Sequence, residues 1–177
     1  MTAVYFGLGS NVDPERNLKL GLQELERRFG PLVLSPTYLG AAVGFDGDDF
    51  LNLVAGCQSD LSPQAIVDHI EEIHIVAGRE RSTEKFNSRK LDIDLLLYGE
   101  CVSEGPPTQL PRKDVLDFAF VLRPMVDIVP DLRHPETGRT LADHWSEFDK
   151  ASQPLTEVSL DIPAWPEHRV QKRRPTE

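Results

Sequence analysis

Two stretches with helical spacing, each opened by a small polar residue and a proline, lie between short apolar runs of strand character, and this alternation most restricts the fold. Residues 3–8 read as a buried strand that ends at Gly9-Ser10-Asn11. Asp13-Pro14 then reads as a helix cap with proline in the first turn, where its missing N–H costs nothing. Leu18, Leu22, Leu25 and Phe29 follow at helical spacing, and Gly30-Pro31 stops that helix. A strand is predicted over residues 32–35, with Leu39 as its outer limit. Residues 40–49, with three glycines and three acids, read as a loop, and residues 50–58 as another strand. Ser62-Pro63 caps a second helix, marked by Ile66, Ile70 and Ile73 and ending near Gly78. Residues 91–98 alternate and then become wholly apolar, as in a strand whose tip meets solvent and whose body is buried.

The order strand, helix, strand, strand, helix, strand predicts an α+β ferredoxin-like sandwich, a mainly antiparallel sheet with helices packed on it. One further helix is expected over residues 115–128 and a shorter one over 141–148. The chain of 177 residues fits a single domain over residues 1–160 and a C-terminal tail over 161–177, where prolines and charges lack apolar periodicity.

A net charge of −10 opposes a nucleic-acid-binding role, for which a basic face supplies the affinity. No run reaches the roughly 18–20 apolar residues that would cross a bilayer, and the first residues lack the pattern of a signal peptide. Cys57 and Cys101 form no paired motif, which fits a reducing cytoplasm. Within this acidic chain, Arg79, Arg81, Lys85, Arg89 and Lys90 form a basic island. The island suits a small polyanion, and on charge alone it reads equally as a solvated loop.

Asp92 and Asp94 follow directly. Two apart on a strand, they project to one face. Paired carboxylates repel unless a cation lies between them, and hard oxygens suit Mg²⁺ carried in with a nucleotide. Taken alone, the pair also reads as a solvated strand face. Cations beside a metal-binding pair are what phosphate transfer needs, and arginine can grip phosphate oxygens in pairs. No Walker-type loop is present, so a nucleotide site must be built another way.

The run Arg79-Glu80-Arg81 and then residues 85–96, KFNSRKLDIDLL, resembles the signature of the 6-hydroxymethyl-7,8-dihydropterin pyrophosphokinase family. Gly9-Ser10-Asn11, Asp49-Phe50-Leu51-Asn52, Phe120-Val121-Leu122-Arg123-Pro124 and residues 131–138 match further family landmarks in order, over roughly residues 3–145. The resemblance implies an ATP-dependent diphosphotransferase of folate biosynthesis. ATP is then the co-substrate, with two Mg²⁺ ions held by Asp92 and Asp94. Arg79, Arg81 and Arg89 would join those aspartates in catalysis, and Lys85, Arg89, Arg112 and Lys113 would bind ATP. Phe50 and Phe120 would sandwich the pterin ring, Asn52 would hydrogen-bond its amide edge, and Val43 and Gly44 would line the same pocket. The expected partners are small molecules, neither nucleic acid nor membrane, acted on by a cytoplasmic monomer.

The chain also departs from the family pattern. Arg112 stands at a customary His and Phe118 at a customary Arg, both of which contact ATP phosphates. Asn87-Ser88 replaces a frequent Gly-Pro, and His74 a customary acid. Losing one charge-assisted donor to a transition state costs about 2.7–4 kcal/mol. These changes leave two alternatives open: a pterin- and nucleotide-binding relative with weak or lost catalysis, and an enzyme with a changed pterin acceptor.

Overall fold

The computed structural model describes residues 1–78 and 91–160. Strands β1 (Thr2–Ser10), β2 (Val33–Leu34), β3 (Thr37–Gly40), β4 (Phe50–Ser59), β5 (Asp92–Tyr98) and β6 (Thr156–Val158) form one sheet. Every pairing is antiparallel, in the order β5-β1-β4-β3-β6, with β2 also on β4. Helices α1 (Pro14–Phe29) and α2 (Pro63–Val76) provide the two crossovers. The arrangement is the expected α+β ferredoxin-like sandwich. Helices α3 (Asp114–Asp117), α4 (Ala119–Ile128) and α5 (Leu141–Glu147) follow β5.

Strand alternation divides the apolar residues between two cores. Val4, Phe6 and Leu8 of β1, Leu53 and Ala55 of β4, and Ile93 and Leu95 of β5 pack with Leu18, Leu22 and Leu25 of α1 and Ile66, Ile70 and Ile73 of α2. The other face carries Val54, Leu96 and Leu97, buried with Val121, Leu122, Met125 and Ile128 of α4 and Leu141 of α5. A register shift in β5 opposite Tyr5 and Phe6 lets Leu96 and Leu97 join the same core. Such a bulge turns an extra residue out of simple alternation, which is why residues 95–97 read as an unbroken apolar run.

Local expectations fail in three places. Asp13 holds the N-cap position of α1 with φ 41°, and its side chain makes no capping hydrogen bond. The Val12 carbonyl of this turn instead accepts from Asn17 Nδ2 inside the helix at 2.6 Å and from Ser10 Oγ before it at 3.2 Å. The strand predicted over residues 32–35 and toward Leu39 is two strands, because Pro36 has no N–H for the ladder. Ser35 Oγ accepts from Val54 N at 2.8 Å beside this break. The helix expected over residues 115–128 is also two helices, parted at Phe118, whose backbone is extended (φ −122°, ψ 127°). By contrast, Ser62 caps α2 as read, accepting from Ala65 N at 3.2 Å. The edge strand β6, paired with Thr37–Leu39, had no counterpart in the sequence reading. The expected tail over residues 161–177 lies outside the described residues.

Candidate active site

Among the described residues, the face of the sheet opposite α1 and α2 lacks a full apolar cover at one end. There Gly9 of β1 pairs with Asn52 of β4 on one side and Asp92 of β5 on the other. In the next row Gly7 lies between Val54 and Asp94. Both glycines keep the floor low beside the carboxylates, Gly9 opposite the Asn52 amide and Gly7 opposite Val54. A Cβ on Gly9 would come within 2.8 Å of Asn52 Oδ1, and one on Gly7 within 3.3 Å of the Leu96 side chain. Two strand spacings, roughly 10 Å, separate the Asn52 and Asp92 backbones across this row.

Above the floor is a cavity of about 610 Å³ lined by Asn52, Asp92 and Asp94, by Phe45 and Phe50, and by Phe118 and Phe120 from the start of α4. Asp92 and Asp94 therefore share one cavity with the aromatic pair Phe50 and Phe120. Phe45 meets Phe50 edge-on, with centroids 6.1 Å apart at 86°. Phe118 and Phe120 lie parallel, 5.0 Å apart at 14°.

Arg112 is carried to the carboxylates by its own backbone, whose N–H donates to the Leu96 carbonyl of β5 at 3.0 Å. Its guanidinium approaches Asp94 at 3.6 Å and holds Asp114 at 3.0 Å. Burial disfavours its charge, but the Asp94, Asp114 and Asp92 carboxylates outweigh that cost and hold its pKa above the ordinary arginine value. His74 of α2 is buried and also borders the cavity. Its Nε2 accepts the N–H of Ile93, the residue between the two aspartates, at 2.9 Å. The ring proton is then on Nδ1, which lies 3.4 Å from Glu71 Oε1.

Among the residues singled out from sequence, Val43, Phe50, Asn52, Asp92, Asp94, Arg112 and Phe120 line this one cavity. Gly44, with φ 83°, is not among the lining residues, although Val43 and Phe45 beside it are. Lys113 sits at the N-cap of α3 and does not line the cavity. Arg79, Arg81, Lys85 and Arg89 lie outside the described residues. The sequence reading gave no site role to Phe45, Glu71 or Asp114, which acquire one only by proximity. His74 and Phe118 had been noticed, but only as departures from a pattern.

A carboxylate pair beside a cation thus shares one cavity with aromatic rings and a buried amide, an arrangement suited to a metal-bound polyanion beside a flat ligand. Residues 5–130 match the family model for 7,8-dihydro-6-hydroxymethylpterin-pyrophosphokinase. The chain belongs to that family, and it is an ATP-dependent pyrophosphokinase. It is 35% identical to 2-amino-4-hydroxy-6-hydroxymethyldihydropteridine pyrophosphokinase of Pseudomonas aeruginosa, across 79% of this chain and 88% of that one. It is 30% identical to the enzyme of the same name from Haemophilus influenzae, across 81% and 96%. Its fold is similar to that of HPPK-DHPS from Plasmodium falciparum, with a TM-score of 0.68 at 10% identity. That likeness covers 82% of this chain and 44% of the Plasmodium chain.

Proposed function

We propose that the chain transfers diphosphate from ATP to the hydroxymethyl group of 6-hydroxymethyl-7,8-dihydropterin, a step of folate biosynthesis that releases AMP. One observation carries the reading. A single cavity holds Asn52 and Asp92 in one cross-strand row, Asp94 in the next, and Phe50 and Phe120 in its walls. The flat heterocycle stacks on Phe50 and Phe120, as aromatic faces favour. Asn52 offers one acceptor and an NH₂ donor group to its amide edge.

Asp92 and Asp94 fit a hard divalent cation by chemistry and by placement. Among the described residues no group of three or more metal-ligating side chains forms, so phosphate oxygens and water would complete the shell. We infer Mg²⁺, two ions carried in with ATP. Bound there, Mg²⁺ would neutralise phosphate charge and polarise the β-phosphoryl group. The hydroxymethyl oxygen forms a bond to the β-phosphorus as the bond from that phosphorus to the α–β bridging oxygen breaks. AMP departs with the bridging oxygen, and the hydroxyl proton passes to solvent. Asp94 is assigned to orient that hydroxyl. Arg112, held charged by its acidic neighbours, faces the phosphates, and Arg79, Arg81, Lys85 and Arg89 are assigned as further donors. Arg112 beside Asp94 keeps a cation where the family has His, which supports catalysis over a merely binding role.

The working unit is taken to be residues 1–160, acting as a cytoplasmic monomer on small-molecule substrates. Among the described residues no helix is long and apolar enough to cross a membrane. Asp94→Ala is expected to abolish AMP release in the presence of the hydroxymethyl pterin while leaving the far-UV circular dichroism unchanged. Wild-type turnover in that variant would remove Asp94 from the reaction.

A further inference from the structure

The wall of the cavity at Phe118 and Phe120 depends on a residue outside the stretch shared with the family model. The break between α3 and α4 leaves two backbone groups to satisfy. The Asp117 carbonyl ends α3, and the Ala119 N–H opens α4. Gln153 meets both: its Oε1 accepts from Ala119 N at 2.9 Å, and its Nε2 donates to the Asp117 carbonyl at 3.0 Å. One primary amide thus bridges the two peptides on either side of Phe118.

The consequence reaches the cavity. Phe118 is extended while Phe120 is already helical, and this change of direction accompanies two rings stacked 14° from parallel. Phe118 forms its own cap contacts, with its carbonyl accepting from Val121 and Leu122 N–H at 3.1 and 2.9 Å. If the break closed into one continuous helix, residues two apart would no longer share a face, and Phe120 would lose its neighbour. Gln153 itself is anchored nearby by β6, whose Thr156–Val158 pairs with β3.

We propose that Gln153 and Phe118 are positioning residues for the acceptor: Gln153 holds the α3–α4 break open, and Phe118 braces the Phe120 ring against which the acceptor stacks. The inference rests on the pterin reading above.

The test compares wild type with Gln153→Met, which keeps the length and removes both hydrogen bonds. Phe118→Leu and Phe118→Tyr form a second pair, of which only Tyr retains the stack. Steady-state AMP release gives KM for each substrate, and calorimetric titration with 6-hydroxymethylpterin gives Kd. Gln153→Met is expected to raise the pterin KM and Kd roughly tenfold, the equivalent of one or two neutral hydrogen bonds. The ATP KM should stay within about twofold. Phe118→Leu should raise the same two constants about threefold to tenfold, the range for loss of one aromatic pair, and Phe118→Tyr should restore them. Unchanged pterin constants in Gln153→Met and Phe118→Leu, beside a wild type that binds pterin, would overturn this inference alone. A parallel rise in the ATP KM would also overturn it, since general loosening would then explain the effect. A wild type that neither binds the pterin nor releases AMP would overturn the pterin reading itself.

Discussion

At the scale of single residues, the site depends on what is missing as much as on what is present. Gly9 has no side chain to contest the space of the Asn52 amide, its cross-strand neighbour, and that absence leaves the amide free to meet a ligand. Gly9→Ala is expected to displace the Asn52 side chain and weaken pterin binding about tenfold, roughly the worth of one hydrogen bond. Titration with the pterin alone checks this, and unchanged affinity would remove Asn52 from recognition. Arg112 carries the complementary lesson. Its guanidinium is a cation across the working pH range in any case, and burial is outweighed by the Asp94, Asp114 and Asp92 carboxylates, which raise its pKa further. Arg112→Met should lower the rate of AMP release by about 10²–10³, as for loss of one donor to a transition state. A variant that keeps the wild-type rate would show that the cationic work is done elsewhere.

At the scale of elements, proline and small polar residues divide this chain, but by different means. At Ser62-Pro63 the serine side chain caps α2 directly, and Ser62→Ala should cost about 1 kcal/mol. The expected signature is a lower urea midpoint with an unchanged slope, and an unaltered midpoint would show that the cap contributes nothing. The superficially similar Asp13-Pro14 makes no side-chain cap. The two pairs look alike in sequence because the cap residue's backbone angles, which set where its oxygens point, depend on the preceding turn. Phe118 shows the same limit. The apolar spacing of residues 115–128 suits one helix, and the interruption depends on Gln153, far along the chain.

At the scale of the molecule, the segment after α5 belongs to the sheet and to the site. Thr156–Val158 covers the outer edge of β3, and Leu155 lies against Gly40, where a Cβ would approach it within 3.0 Å. A chain ended after Leu160 is therefore expected to keep AMP release near the wild-type rate. One ended after Phe148 should lose pterin affinity and unfold at lower urea. Equal behaviour of the two would mean that β6 and Gln153 support nothing in the site. Across the sheet, the two cores account for the packing on both faces, while among the described residues the polar row at one end borders the cavity instead.

Apolar periodicity and the order of strands and helices carried the α+β sandwich, because burial of a strand face or helix stripe imposes a spacing that can be read residue by residue. The Asp-x-Asp strand was legible for the same reason, since alternation alone sends both carboxylates to one side. Motif resemblance had already named Arg112, but tertiary structure alone brought Phe45, His74 and Gln153 to that end of the sheet. Their positions follow from cross-strand register and from packing between distant segments, and neither leaves a periodic trace in the chain.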